Sequence, residues 1–312
     1  MQRSGTSMCI TSAAAFGTMA IFGKLLYDEG ATVGTLLALR FAIAAGLFWA
    51  LVAVTGAARG LREIGRRDLA ISLALGAFGY AAQAGAYFAA LQRIDASLLA
   101  LLLYTFPAIV TAAAIALGRE RADRRRLAAL GLTSGGLVLV VAGAGAGALD
   151  PLGVALALGA AVVYSTYILT SEGVAGRLRP ELLSALVCTG AALTLTAGSL
   201  LLGELRPGEL TPAGWGWMLC IAVVSTFAAV NLFFAGLRRV GSTSAAILST
   251  VEPLVTVLLA FLVFSETLTV VQVVGGAFVL GGVLVLNARR APDEVGQLVV
   301  AVPRPGAESA RE

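Results

Sequence analysis

From residue 8 to residue 288 the chain is a succession of ten apolar runs joined by short connections. Their limits are 8–27, 32–55, 69–91, 95–117, 127–145, 151–171, 181–203, 213–236, 242–264 and 270–288. A helix needs about 20 apolar residues to cross bilayer hydrocarbon, and each run is of that order. Backbone in lipid must satisfy its own hydrogen bonds, which leaves helices or closed barrels. Barrels read as short alternating segments, whereas these runs are continuous. The expected fold class is therefore an all-α polytopic membrane protein with ten transmembrane helices. Charged residues make up 13% of the chain, against about 25% in a soluble protein, so no sizeable water-facing domain fits. The first run, with Arg3 before it and small residues within it, has the look of a signal peptide. It continues to Tyr27 and has a counterpart in the second half, so it reads as a retained first helix.

The charges set an orientation. Of the 22 basic residues, 21 are arginine. With the N-terminus placed inside, 18 arginines fall on inward segments, among them Arg59, Arg62, Arg66, Arg67, Arg119, Arg121 and Arg124 to Arg126. Only Arg93 and Arg206 fall on outward loops. This bias is the positive-inside pattern. It predicts a multi-pass protein of the cell inner (plasma) membrane with both termini cytoplasmic. It also explains the net charge of +4 without a nucleic-acid partner.

The chain matches itself at an offset of 146 residues. ALQRIDASLLALLLYTFPAIVTAAAIALGRE (90–120) lies over GLRRVGSTSAAILSTVEPLVTVLLAFLVFSE (236–266) without a gap. Leu91 meets Leu237, Arg93 meets Arg239, Pro107 meets Pro253 and Glu120 meets Glu266. Farther on, Gly135-Gly136 meets Gly281-Gly282. Chance matches in such a chain would fall on alanine and leucine, not on proline, glutamate and paired glycine. The repeat holds five helices, an odd number, so its second copy enters the membrane inverted. The expected units are residues 1–147, residues 148–290, and a disordered cytoplasmic tail at 291–312, rich in Pro, Gly and charge. Inverted repeats are a common plan of secondary transporters, with a site near the midplane between the halves.

These residues resemble an EamA-type member of the drug/metabolite transporter superfamily. The resemblance covers roughly residues 8–290. It is carried by FGTMAIFGKLL with the following EG and LRF (16–41) and by both helix–Pro–helix–Glu patterns, of which TVEPLVTVLLAFLVFSETLT (250–269) is the more specific. Phe16-Gly17 stands where the family usually has Trp-Gly. The resemblance implies ten helices, a central cavity, and export of amino acids or other small metabolites. Four-helix multidrug exporters with a first-helix glutamate are a poorer match. Members that carry sugar phosphates tend to place basic residues in the ninth helix; here that helix holds Glu252 and no base, which disfavours a phosphate cargo.

Glu252 is the candidate functional group. It lies about ten residues into the ninth run, and a charge near a bilayer midplane costs roughly 2.5–3.5 kcal/mol. Three roles are open to it. It can bind a cationic group such as a substrate ammonium. It can take up a proton, since a low-dielectric site disfavours a charged carboxylate, and so couple transport to a proton gradient. Or it can cap backbone freed by Pro253. Glu266 and Glu120 sit at helix ends, where they reach water or cap a neighbouring helix. Lys24 lies close enough to the outer end of the first run to snorkel outward. Arg40 lies deeper and needs a partner: carbonyls, a carboxylate, or the carboxylate of a substrate. Tyr80, Gln83 and Tyr87 share a face of the third helix by i, i+3, i+7 spacing, as do Phe227, Asn231 and Phe234 on the eighth. Tyr104, Tyr164 and Thr250 also lie within runs. These polar groups either join helices or line a cavity. The glycine pairs at 135–136, 275–276 and 281–282 point to close helix contact.

No histidine is present, which excludes histidine metal sites and Ser-His-Asp or Cys-His catalysis. Cys9, Cys188 and Cys220 lie in apolar runs without CxxC spacing, and no phosphate-binding loop occurs. No cofactor, metal or enzymatic activity is expected. The expected partners are a small-molecule substrate and the lipid bilayer, with the chain a monomer or homodimer. The expected function is a secondary transporter of small metabolites such as amino acids, outward-directed as the resemblance implies. The alternatives are export of hydrophobic drugs or lipid-linked compounds, or a non-transporting sensor.

Overall fold

A computed structural model of the chain describes residues 2–118, 121–143, 150–175 and 177–287. The tail expected at 291–312, and Glu120, lie outside the described residues. The described residues are helical without strands. Among them, nine helices are long and apolar enough to cross a membrane: α1 Ser4–Asp28, α2 Val33–Val54, α3 Arg66–Leu91, α4 Ala96–Ala116, α5 Arg124–Gly143, α6 Pro151–Ser171, α7 Pro180–Leu201, α8 Pro212–Gly241 and α9 Ser244–Phe264. A shorter apolar helix, α10 Val270–Leu286, makes the tenth. Local chemistry fixes several starts. Thr32 and Thr211 accept from the amides of Thr35 and Gly214 at the heads of α2 and α8, and Pro180 and Pro212 occupy first-turn positions that need no N–H donor.

The packing follows the repeat. Helix α2 lies on α7 and α5 lies on α10, each with its own counterpart. Helix α1 packs on α8 and α9, as α6 packs on α3 and α4. Adding five to every label returns each of these contacts, as two inverted five-helix repeats require. Helices α5 and α10 meet through glycine: a Cβ on Gly136 would lie 2.6 Å from the Gly275 carbonyl oxygen. Only one member of each glycine pair in α5 and at the end of α10 makes such contact, since Gly135 and Gly281 face open space.

The irregularities repeat too. A π-helical segment spans Leu75–Tyr80 in α3, and another spans Val223–Ala228 in α8. Helix α4 breaks between Leu103 and Phe106, and the helix carrying Pro253 begins after a break at Thr250, whose repeat partner is Tyr104. Helix α1 is interrupted at Thr18, whereas its counterpart α6 runs on unbroken.

Burial is uneven along the helices. In α4, Ala96 to Leu102 are all buried, whereas Leu117 is 62% exposed. In α2, Gly34 to Ala38 are buried and Val54 is 86% exposed. Arg66 and Arg67, at the start of α3, are exposed, and Tyr87 to Leu91, at its other end, are mostly buried. In these three helices the arginine-poor end is the more buried, whereas at the end of α7 the arginine-poor Leu200 to Leu202 are exposed.

Candidate functional site

Three helix interruptions converge in the interior. Gly17, in α1, abuts α9, where a Cβ would lie 2.8 Å from the Glu252 carbonyl oxygen. Thr256 donates to the Gly17 carbonyl at 3.0 Å. The hydroxyl of Thr18 meets that of Ser225, in the π-segment of α8, at 2.8 Å. Tyr104, at the break in α4, donates to the Ser249 carbonyl at 2.6 Å, and its oxygen lies 3.0 Å from Glu252 Oε2. Ser249 is four residues before Pro253, so its carbonyl is the one that proline leaves without a helical donor. Tyr104 therefore fills the capping role that was open to Glu252. The Glu252 side chain, half-buried, has Tyr104 as its hydrogen-bond partner among the described residues.

An aromatic series leads away from this carboxylate. Tyr104 packs edge-on against Phe106, and Phe106 against Tyr164 at 4.8 Å between centroids. Tyr164 stacks on Tyr167, Tyr167 lies beside Tyr80, and Tyr80 meets Phe41 edge-on at 5.0 Å. Tyr164 and Tyr167 come from α6, three residues apart on one face. Tyr167 is not among the candidates expected from sequence, although that spacing is legible there.

At the far end of the series sits Arg40, which is 1% exposed. Its Nε donates to Thr226 Oγ1 at 2.8 Å, and Thr226 in turn donates to the Ile221 carbonyl within α8. Its guanidinium carbon lies 5.0 Å and 5.4 Å from the ring centres of Phe41 and Phe88. Among the described residues no carboxylate ion-pairs with Arg40, and no cation ion-pairs with Glu252. The aromatic series thus runs from the Tyr104 contact of Glu252 to Phe41, whose ring lies beside Arg40.

The remaining candidates divide. Tyr87 and Gln83 are buried, Gln83 thus facing protein as an amide in a membrane must. Asn231 donates to the Phe227 carbonyl of its own helix at 2.7 Å. Thr250 donates to the Ile247 carbonyl at 2.7 Å and closes the turn at the α9 break. Lys24 does not snorkel freely: it pairs with Glu266 at 2.5 Å. A cavity of about 660 Å³ opens elsewhere, at the arginine-rich end, between Thr55, Asp68, Arg177 and Leu182. None of the candidate residues lines it.

The EamA-like transporter family model matches residues 3–142 and 151–288. An uncharacterized transporter of Archaeoglobus fulgidus is 30% identical over 288 residues, 91% of this chain and 96% of that protein. The uncharacterized transporter YcbK of Bacillus subtilis is 26% identical, across 87% of this chain and 88% of its own length. A solved crystal structure shares the fold at a TM-score of 0.63 and 20% identity, covering 92% of this chain and 97% of that one.

Proposed function

The chain belongs to the EamA-like transporter family, and on that premise we propose that it moves small zwitterionic metabolites such as amino acids outward, by rocking its two halves around a site between Arg40 and Glu252. One observation carries this reading. Two opposite charges, buried Arg40 and half-buried Glu252, stand at the two ends of one aromatic series and are not ion-paired with each other among the described residues. An interior charge without a counter-charge is costly. An α-amino acid brings an ammonium for Glu252 and a carboxylate for Arg40, and so compensates both. Tyr80, Tyr87, Tyr104 and Tyr164 supply the walls, with Gln83, Asn231 and Thr250 on the flanking helices.

The arginine bias supports an inner-membrane orientation with both termini cytoplasmic. The cavity between Thr55, Asp68, Arg177 and Leu182 then opens toward the cytoplasm, where an exporter loads. Glu252 has a second candidate role as the proton carrier. A neutral carboxylic acid at this depth removes the charge that the empty site otherwise leaves uncompensated, so proton and substrate ammonium are alternative occupants of one group.

Counterflow in proteoliposomes tests the reading. Vesicles holding the purified protein are loaded with a pooled metabolite extract, and exchange is read by mass spectrometry. Enrichment of amino acids or close zwitterions is the expected result. Folded protein that enriches no water-soluble compound overturns it and moves the reading to hydrophobic cargo or to a sensor.

A further inference from the structure

We infer that Glu266, Lys24 and the head of α4 form the outer gate of the transport cycle. This rests on the alternating-access reading above. Ser265 ends the ninth helix in the left-handed region, with φ of 57°, and the turn carries Glu266 back over the first half of the molecule. Its carboxylate then accepts four hydrogen bonds: from Lys24 Nζ at 2.5 Å, Ala96 N at 3.1 Å, Ser97 N at 3.0 Å and Ser97 Oγ at 2.9 Å. Its side chain is only 6% exposed. Asp95 adds a second, longer contact to Lys24 at 3.8 Å.

The topology gives this cluster its meaning. Lys24 and the head of α4 belong to the first half, and Glu266 belongs to the second. The outer end cannot open between α4 and the α9–α10 connection while the contact holds. It lies beside the fully buried run from Ala96 to Leu102. Other contacts at this end tie different helices: Thr32 and Thr35 donate to the Glu204 carbonyl, joining α2 to the connection after α7, and Arg93 pairs with Asp150 before α6. The α2–α7 contact runs along a pair that packs as one unit, and Asp150 is a surface partner. Only the Glu266 cluster, among these described contacts, buries a full charge across the line between the halves. Charge-assisted bonds of this kind are strong when made and costly to leave unmade, which suits a contact that must define a closed state.

The experiment is double electron–electron resonance in nanodiscs, with spin labels on Gln92 and Val270 for the outer end and on Leu117 and Arg238 for the inner end, in a background without the native cysteines. Two variants are read against the parent: Glu266→Gln, which removes the charge, and Lys24→Met, which leaves the carboxylate on the α4 amides. In both, a longer outer distance gains population, by on the order of tenfold over the parent's minor state, while the inner distance shortens. Outer distances that stay fixed in both variants overturn the gate. So do outer and inner distances that broaden together, which mark a loosened fold. No cargo is needed for this readout. A protein that rocks but exchanges no metabolite sinks the proposed substrate and leaves the gate standing.

Discussion

Tyr104 donates its hydroxyl proton to the carbonyl of Ser249 at 2.6 Å, across a separation of 145 residues. That carbonyl lost its helical donor to Pro253. A proline kink made in one half is thus repaired by the other. The hydroxyl has one proton and two acceptors in reach, because Glu252 Oε2 lies 3.0 Å away. The shorter contact takes the proton, and a second full hydrogen bond forms when Glu252 is itself protonated and donates back.

Tyr104→Phe should therefore weaken the fold. It leaves the Ser249 carbonyl without a partner in the interior, at a cost of about 1–3 kcal/mol. Tyr164→Phe is the control, since the Tyr164 hydroxyl makes no hydrogen bond among the described residues. Thermal unfolding of the two purified variants should separate them, with Tyr104→Phe clearly the less stable. Equal melting temperatures would show that the capping bond contributes nothing.

Gly17→Ala should disrupt the contact of α1 with α9. The new methyl would sit 2.8 Å from the Glu252 carbonyl oxygen and 3.0 Å from Val255 Cβ, and overpacking of this kind costs about 1–3 kcal/mol. Gly46→Ala, where a Cβ meets nothing within 4 Å, should be neutral or stabilising by up to about 1 kcal/mol. The same contrast applies to Gly136→Ala against Gly135→Ala. Melting temperatures in one detergent check all four.

Arg40→Met tests the site directly. It removes an interior charge that has no carboxylate partner among the described residues, and such replacements by an apolar chain of similar reach are often neutral or stabilising. The expected variant is folded, no less stable than the parent, and inactive toward zwitterions in counterflow. Retained exchange of amino acids would remove Arg40 from the site.

Glu266 sets an acid limit on the outer contact. Burial alone raises its carboxyl, but the Lys24 ammonium and the Ser97 and Ala96 amides outweigh burial and hold it below the ordinary carboxylate range. A carboxyl lowered in the folded protein stabilises fully above its unfolded value, about 4.3, and that contribution is lost as pH falls through the folded value. The outer distance and the melting temperature should hold steady from about pH 8 to pH 5 as far as this group is concerned, and decline below about pH 4. In Glu266→Gln the acid decline should be smaller. An unchanged acid profile in that variant would show that the contact contributes no pH-dependent stability.

The spans, their alternating sense and the repeat are legible in the sequence because lipid imposes one rule on every segment: apolar length, with arginine on one side. The break at Tyr104 and Thr250 is half legible. Pro107 and Pro253 announce it, but the interruption falls a few residues earlier, where the proline's missing donor is felt. The π-segments are not legible, since Leu75 to Tyr80 and Val223 to Ala228 contain no residue that demands an extra backbone position. Both segments meet the other half of the chain: Gly76 lies against the backbone of Val187, and Thr226 holds Arg40. Lys24 departs from expectation for a similar reason. Its position near a helix end predicts escape to water, but its partner lies 242 residues away. For Glu266 the sequence leaves water or a helix cap open, and the structure selects the cap.

The repeat partner of Glu252 is Phe106, and the partner of Tyr104 is Thr250. The interior therefore draws its hydroxyl from one half and its carboxylate from the other. Two identical copies of the second half, assembled as a dimer, would bring two carboxylates toward one axis, where like charges repel strongly. Two copies of the first half would bring two phenylalanines and no carboxylate there. A single chain that carries both copies leaves each half free to differ, and here the difference falls on the residue just before each proline.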